Sequence, residues 1–105
     1  MQVIDRVKEF VMNNYRDSEL SLSSAAEYAS VSTGYLSGLF KKESGTNFVK
    51  YLTDVRMEKC MQLLRTTDMK TYEIAYETGF SNPHYFSISF KKYTGMSPSE
   101  FRAKE

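Results

Sequence analysis

The chain has 105 residues and a formal net charge of +1, with 14 lysines and arginines against 13 acids. That length holds one domain or two very small ones, and with charge so balanced, attraction to nucleic acid must come from where the charges sit. The single cysteine excludes an internal disulfide, which fits a reducing compartment. No apolar run is long enough to span a membrane, and MQVIDRVKEF at the start lacks the apolar stretch of a signal peptide. A cytoplasmic protein is expected. Seven phenylalanines and eight tyrosines supply ring area for a core.

In chain order, Val3, Val7, Phe10 and Val11 have helical spacing and predict an amphipathic helix over about 3–14. Ser21 or Ser23 begins a short helix whose alanines, Ala25, Ala26 and Ala29, imply close approach to a neighbour. Ser32 caps the next helix, with Leu36, Leu39 and Phe40 inward and Gly45 as its stop. Thr46 or Asn47 caps the longest helix, about 48–65, with an apolar seam of Phe48, Leu52, Val55, Cys60, Leu63 and Leu64. After a turn at 66–70, a short helix over 72–78 carries Ile74 and Ala75 inward. Ser81 or Asn82 caps a helix with Pro83 in its first turn, where the missing N–H costs nothing. Phe86, Phe90 and Tyr93 mark its buried face, and Gly95 ends it. Ser97-Pro98-Ser99-Glu100 is then a capping box with proline at the first helical position. No segment alternates with period two, so no strand is expected.

The chain repeats itself. YLSGLFKKESG at 35–45 matches YFSISFKKYTG at 85–95 at an offset of 50, while Ala26, Val31 and Ser32 match Ala75, Phe80 and Ser81 at an offset of 49. One residue has been gained in the second turn. Each copy is a short helix, a turn and a second helix ended by glycine, which is the helix-turn-helix outline. The helix between them, about 18–20 residues, is roughly 27–30 Å long. Successive major grooves on one side of B-DNA are about 34 Å apart, so a single chain can carry two groove-reading helices. On the second of these, His84, Ser87, Ile88 and Lys91 face away from the core. That face is small, polar or basic, with an isoleucine that the core does not need, and it is a candidate for the major groove.

With IAYETGFSNPHYFSISFKKYTGMSPSEFR, the second copy and its flanks, the sequence resembles the DNA-binding domain of the AraC/XylS family of bacterial transcription regulators. The resemblance covers about Leu20 to Arg102. It implies an all-α fold of about seven helices, two helix-turn-helix subdomains joined by a long central helix, with residues 1–45 as the first subdomain, 46–66 as the linker helix and 67–105 as the second. It implies that the third and sixth helices enter adjacent major grooves. The family's base-facing positions fall on Thr33, Gly34, Ser37 and Gly38 in the first copy and on Pro83, His84, Ser87 and Ile88 in the second. Ser32 and Asn82, at the starts of those helices, join them as candidate DNA-binding residues, and Lys41 and Lys91 are candidate phosphate contacts. Many members carry arginine or another long polar residue where this chain has Gly38 and Ile88. Bidentate arginine to guanine is the commonest specific contact, and neither recognition face here has one.

The implied partners are duplex DNA and RNA polymerase, with no membrane and no cofactor, and the implied function is sequence-specific regulation of transcription, activation above all. The chain is expected to be the output domain of a larger regulator with a sensor or receiver domain. A helical protein-interaction module that keeps the fold without DNA readout is the alternative, favoured by the arginine-free faces and low charge. Steep salt dependence of DNA binding separates the two. Spacing alone leaves Lys41 and Lys91 equally open to a plain role, as solvated lysines beside a helix C-terminus. An enzyme is not expected. His84 is the only histidine and Cys60 the only cysteine, too few for a metal set, and no nucleophile–base pair or phosphate loop is present. Cys60 is expected to be a small core residue.

Overall fold

In the computed structural model, residues 2–104 are described, so Met1 and Glu105, the two ends of the expected domain, lie outside them. The described residues form seven helices and no strand: α1 (Val3–Asn14), α2 (Leu22–Ala29), α3 (Thr33–Ser44), α4 (Phe48–Thr66), α5 (Thr71–Glu77), α6 (Pro83–Thr94) and α7 (Pro98–Lys104). The all-α expectation holds. Local chemistry explains most ends. Ser21 caps α2 in a reciprocal pair with Ser24, and Asn47 caps α4 by accepting the Lys50 N–H at 2.8 Å. The Ser97–Glu100 box opens α7. The Ser97 N–H donates to Glu100 Oε1 at 2.8 Å and the Glu100 N–H to Ser97 Oγ at 3.1 Å. Gly45 and Gly95 end α3 and α6 with φ of 74° and 87°, a left-handed cap that costs a glycine nothing.

The chain divides into two compact units, one up to Val55 and one from Arg56, with the boundary inside α4. The first core is built from Ile4, Val7 and Val11 of α1, the three alanines of α2, Leu36 and Phe40 of α3, and Phe48 and Leu52 of α4. The alanines are buried as expected. With methyl groups for side chains, α2 can approach its neighbours closely. The Phe40 ring, completely buried, meets Phe48 and Tyr51 edge-on at 5.7 and 5.4 Å between centroids.

The second core takes Met57, Cys60 and Leu64 from α4, Ile74 and Ala75 from α5, Phe86 and Phe90 from α6, and Phe101 from α7. A run of rings, Phe80 to Phe86 to Phe90 to Phe101, passes through it at centroid distances of 5.2, 5.8 and 5.5 Å. Arg102 ties α7 to the end of α4, donating from Nε to the Leu64 carbonyl at 3.2 Å and from Nη2 to the Thr67 carbonyl at 3.1 Å. Those bonds satisfy carbonyls near the C-terminus of α4, where the helix runs out of its own donors.

Two expectations about the core need correction. A single seam along α4 misses Met57, which is fully buried, whereas Val55 and Leu63 are only partly so. Phe48 and Leu52 serve one core and Met57, Cys60 and Leu64 the other, so the helical spacing restarts where the unit changes. Tyr93 is 41% exposed rather than buried with Phe86 and Phe90. Phe101 and Met96, from beyond the helix, fill the second core at the end of α6. The matching position of the first copy, Glu43, is also exposed.

Candidate nucleic-acid interface

The two copies build the same turn with different residues. In the first, Ser30 takes the left-handed conformation, φ 59°, and the Val31 N–H donates back to the Ala26 carbonyl at 3.0 Å. In the second, Gly79 is left-handed, φ 96°, and the Phe80 N–H donates to the Ala75 carbonyl at 2.9 Å. Both are Schellman closures, in which the residue after the left-handed one bonds five positions back and buries an apolar side chain. Val31 and Phe80 are those side chains, each packed on its own core.

The gained residue can now be placed. Ser32 caps α3 by accepting the Tyr35 N–H at 3.1 Å. Asn82, not Ser81, caps α6, its Oδ1 accepting from the His84 and Tyr85 N–H groups at 2.9 and 3.0 Å. Pro83 decides between the two. It pushes the residue before it into extended backbone, which is what an N-cap requires, and Asn82 has φ −128° and ψ 107°. The structural partner of Ser32 is therefore Asn82, at an offset of 50, and Ser81 is the insertion. The sequence match of Ser32 to Ser81 is corrected accordingly.

On α3, Gly34, Ser37, Gly38 and Lys41 stand at i, i+3, i+4 and i+7 and form one exposed row, with Ser32 and Thr33 exposed at its start. On α6, His84, Ile88 and Lys91 are exposed and Ser87 half-buried in the corresponding row, with Asn82 exposed and Pro83 half-buried at its start. Thus the fold brings the candidates of each copy onto one helix face. Ile88 is 55% exposed, an apolar side chain that nothing in its own unit covers. A methyl group added at Gly34 or Gly38 would meet nothing within 4 Å. Packing within the unit therefore does not explain either glycine, although each weakens a helix relative to alanine. Lys41 and Lys91 lie in the last turns, where the helix dipole favours a cation.

Among the described residues no three of His, Cys, Asp and Glu gather to hold a metal ion, and no helix is long and apolar enough to cross a membrane. Cys60 is buried, and burial pushes its thiol up to about 11. At neutral pH it is a protonated core group.

Sequence reasoning passed over one pair on these helices. Tyr35 and Tyr85, two more members of the repeat, are 55% and 63% exposed. Their recurrence at an offset of 50 was visible, but an aromatic residue in a helical pattern reads by default as core, and only the packed structure shows otherwise.

The two turns, their caps and the paired exposed helices define a tandem helix-turn-helix protein. A family model described as a helix-turn-helix domain matches residues 25–104, and the chain belongs to the AraC-type helix-turn-helix family. It is 42% identical over 106 residues to the transcriptional regulatory protein YesN of Bacillus subtilis, covering 98% of this chain and 29% of that protein. It is 36% identical over 102 residues to the arabinose operon regulatory protein of Escherichia coli, covering 94% of this chain and 35% of that one. Among solved structures, the C-terminal domain of AraT, a response regulator from Geobacillus stearothermophilus, superposes with a TM-score of 0.97 at 38% identity, covering all of this chain and 87% of that one. The chain spans about a third of the length of the two curated relatives. The family is one of transcription regulators, not of enzymes.

Proposed function

We propose that this chain binds duplex DNA sequence-specifically as the output domain of a larger transcription regulator, acting inside the cell, in the cytoplasm. Residues 1–45 and 67–105 serve as two DNA-facing subdomains joined by 46–66, and α3 and α6 each enter one of two successive major grooves. Activation through contact with RNA polymerase belongs to the same proposal, as does control by a sensor or receiver domain. The observation that carries it is the pair of exposed rows on α3 and α6, in a chain of this family, which have no packing reason to be small, polar and basic.

Within those rows the roles differ. Lys41 and Lys91 contact phosphate, which positions without specifying. Ser32, Ser37, Asn82 and Ser87 hydrogen-bond base edges or backbone. Ile88 cannot hydrogen-bond, but it can pack on a thymine methyl group, and His84 and Pro83 border the neighbouring base pair. Thr33, Gly34 and Gly38 offer little direct readout, so the first half-site depends more on groove shape.

The test is binding to duplexes selected from a random pool, then to single-base variants of them, at several salt concentrations. Lys91→Ala should weaken all sequences alike and reduce the salt slope by about 1. Ile88→Ala should cost affinity mainly at sites carrying its thymine, with the slope unchanged. His84→Ala should alter preference at one or two adjacent base pairs. Absence of salt-dependent binding to any duplex would favour the protein-interaction module, and a first half-site stricter than the second would overturn the division of roles.

A further inference from the structure

We propose that Tyr35 and Tyr85 are DNA-backbone contacts, each phenol hydroxyl donating a hydrogen bond to a phosphate oxygen at the rim of the groove. This rests on the DNA-binding proposal and deepens it. Three observations carry it.

The first is exposure without a partner. Both rings stand more than half in solvent, and neither hydroxyl bonds another described residue. Tyr28, also exposed, differs. Its ring stacks on Phe10 at 4.3 Å and lies under the Arg6 guanidinium. Tyr35 and Tyr85 have no such ring or cation beside them among the described residues.

The second is position. Each is the third residue of its helix, and its backbone N–H is held by the cap, Ser32 or Asn82. A helix turns about 100° per residue, so each tyrosine flanks the exposed row and falls outside its centre. Lys42 and Lys92 stand seven residues on, along the same flank and roughly 10 Å further down the axis. A hydroxyl donor and a cation in one line beside a groove-facing row suit a phosphate strand.

The third is which residues outside the core the copies share. Of the four base-facing positions in each row, three differ between the copies: Thr33 against Pro83, Gly34 against His84, Gly38 against Ile88. Tyr35 and Tyr85 are identical, as are Ser37 and Ser87, Lys41 and Lys91, and Lys42 and Lys92. Two half-sites can differ in every base pair, yet each offers the same phosphates. Residues that meet phosphate can therefore stay alike in both copies while those that meet bases diverge.

The experiment compares the chain with its Tyr35→Phe and Tyr85→Phe variants on duplexes selected by the unaltered chain, including duplexes carrying one methylphosphonate at a time. Each variant should bind about tenfold more weakly on every selected sequence, since a hydrogen bond to an anion is lost. The salt slope should stay the same, because no charge is removed, and thermal melting should stay the same, because the hydroxyl is unpaired in the fold. One methylphosphonate in each half-site should weaken the unaltered chain but not the matching variant. Variants that bind as tightly as the unaltered chain, or that lose affinity only at particular base pairs, would overturn this assignment and leave DNA binding standing. No salt-dependent binding by the unaltered chain would overturn both.

Discussion

The Cys60 sulfur lies 3.1 Å from the Thr78 hydroxyl oxygen, in the second core where α4 meets the end of α5. Thr78 Oγ1 is 2.7 Å from the Ile74 carbonyl and donates its one proton there, so the thiol donates to Thr78. A polar pair in an apolar core is thereby satisfied from both sides. Cys60 should react with a thiol reagent at pH 8 on the order of 100-fold or more slowly in the native chain than in denaturant, because burial holds it protonated. A stopped-flow trace with and without guanidinium checks this. Thr78→Val should cost about 1–2 kcal/mol, the loss of the acceptor for a buried donor.

Ser30 holds at φ 59° the position that Gly79 holds at φ 96°. An L-residue in that region is strained by about 1–2 kcal/mol, and part of the gain from relieving the strain is offset by the greater freedom of glycine in the unfolded chain. Ser30→Gly should stabilise the chain by up to about 1 kcal/mol, whereas Gly79→Ser should destabilise it by about the same or more. Urea melts of the two variants give both signs.

Gly38 stands in the middle of α3 with open space where a side chain would be. Gly38→Ala should therefore stabilise the fold by about 1 kcal/mol, raising the melting temperature by a few degrees. On the proposed groove-facing row, the added methyl group should change binding at the first half-site and leave the second untouched. Calorimetry reads the first effect and the duplex panel the second.

Hydrogen bonds from the Ser97 backbone and hydroxyl hold the Glu100 carboxyl below the ordinary glutamate range. A depressed folded pKa means that the carboxylate supports α7 fully above its unfolded pKa. That support fades as pH falls through the lower, folded value. Protection of the α7 amides, taken relative to the intrinsic exchange rate at each pH, should thus fall in acid before the cores open, and Glu100→Gln should show lower protection already at neutral pH. Exchange measured by NMR between pH 7 and pH 2 checks it.

Much of this molecule is legible in its sequence. Ser32, Gly45, Gly95 and the Ser97–Glu100 box act within four residues along the chain, so the helix limits they set follow from local chemistry alone. The duplicated YxSxxFKK pattern likewise placed Phe40 and Phe90 inward and Ser37, Ile88 and both Lys41 and Lys91 outward, because a helix of known pitch fixes which residues share a face. Pro83 even held the choice of Asn82 over Ser81, through its effect on the preceding residue. What only the tertiary structure decided depends on residues distant in sequence. Met57 is buried and Val55 only partly because α4 serves two cores, and no periodicity within the helix announces where one gives way to the other. Tyr93 lost its expected place to Phe101 and Met96, which return from beyond the helix. Thr78 became a core residue because Cys60, eighteen positions earlier, is there to bond it. Tyr35 and Tyr85 stand in solvent because no ring or seam from another element reaches them, and a sequence records what a side chain is, not what comes to cover it.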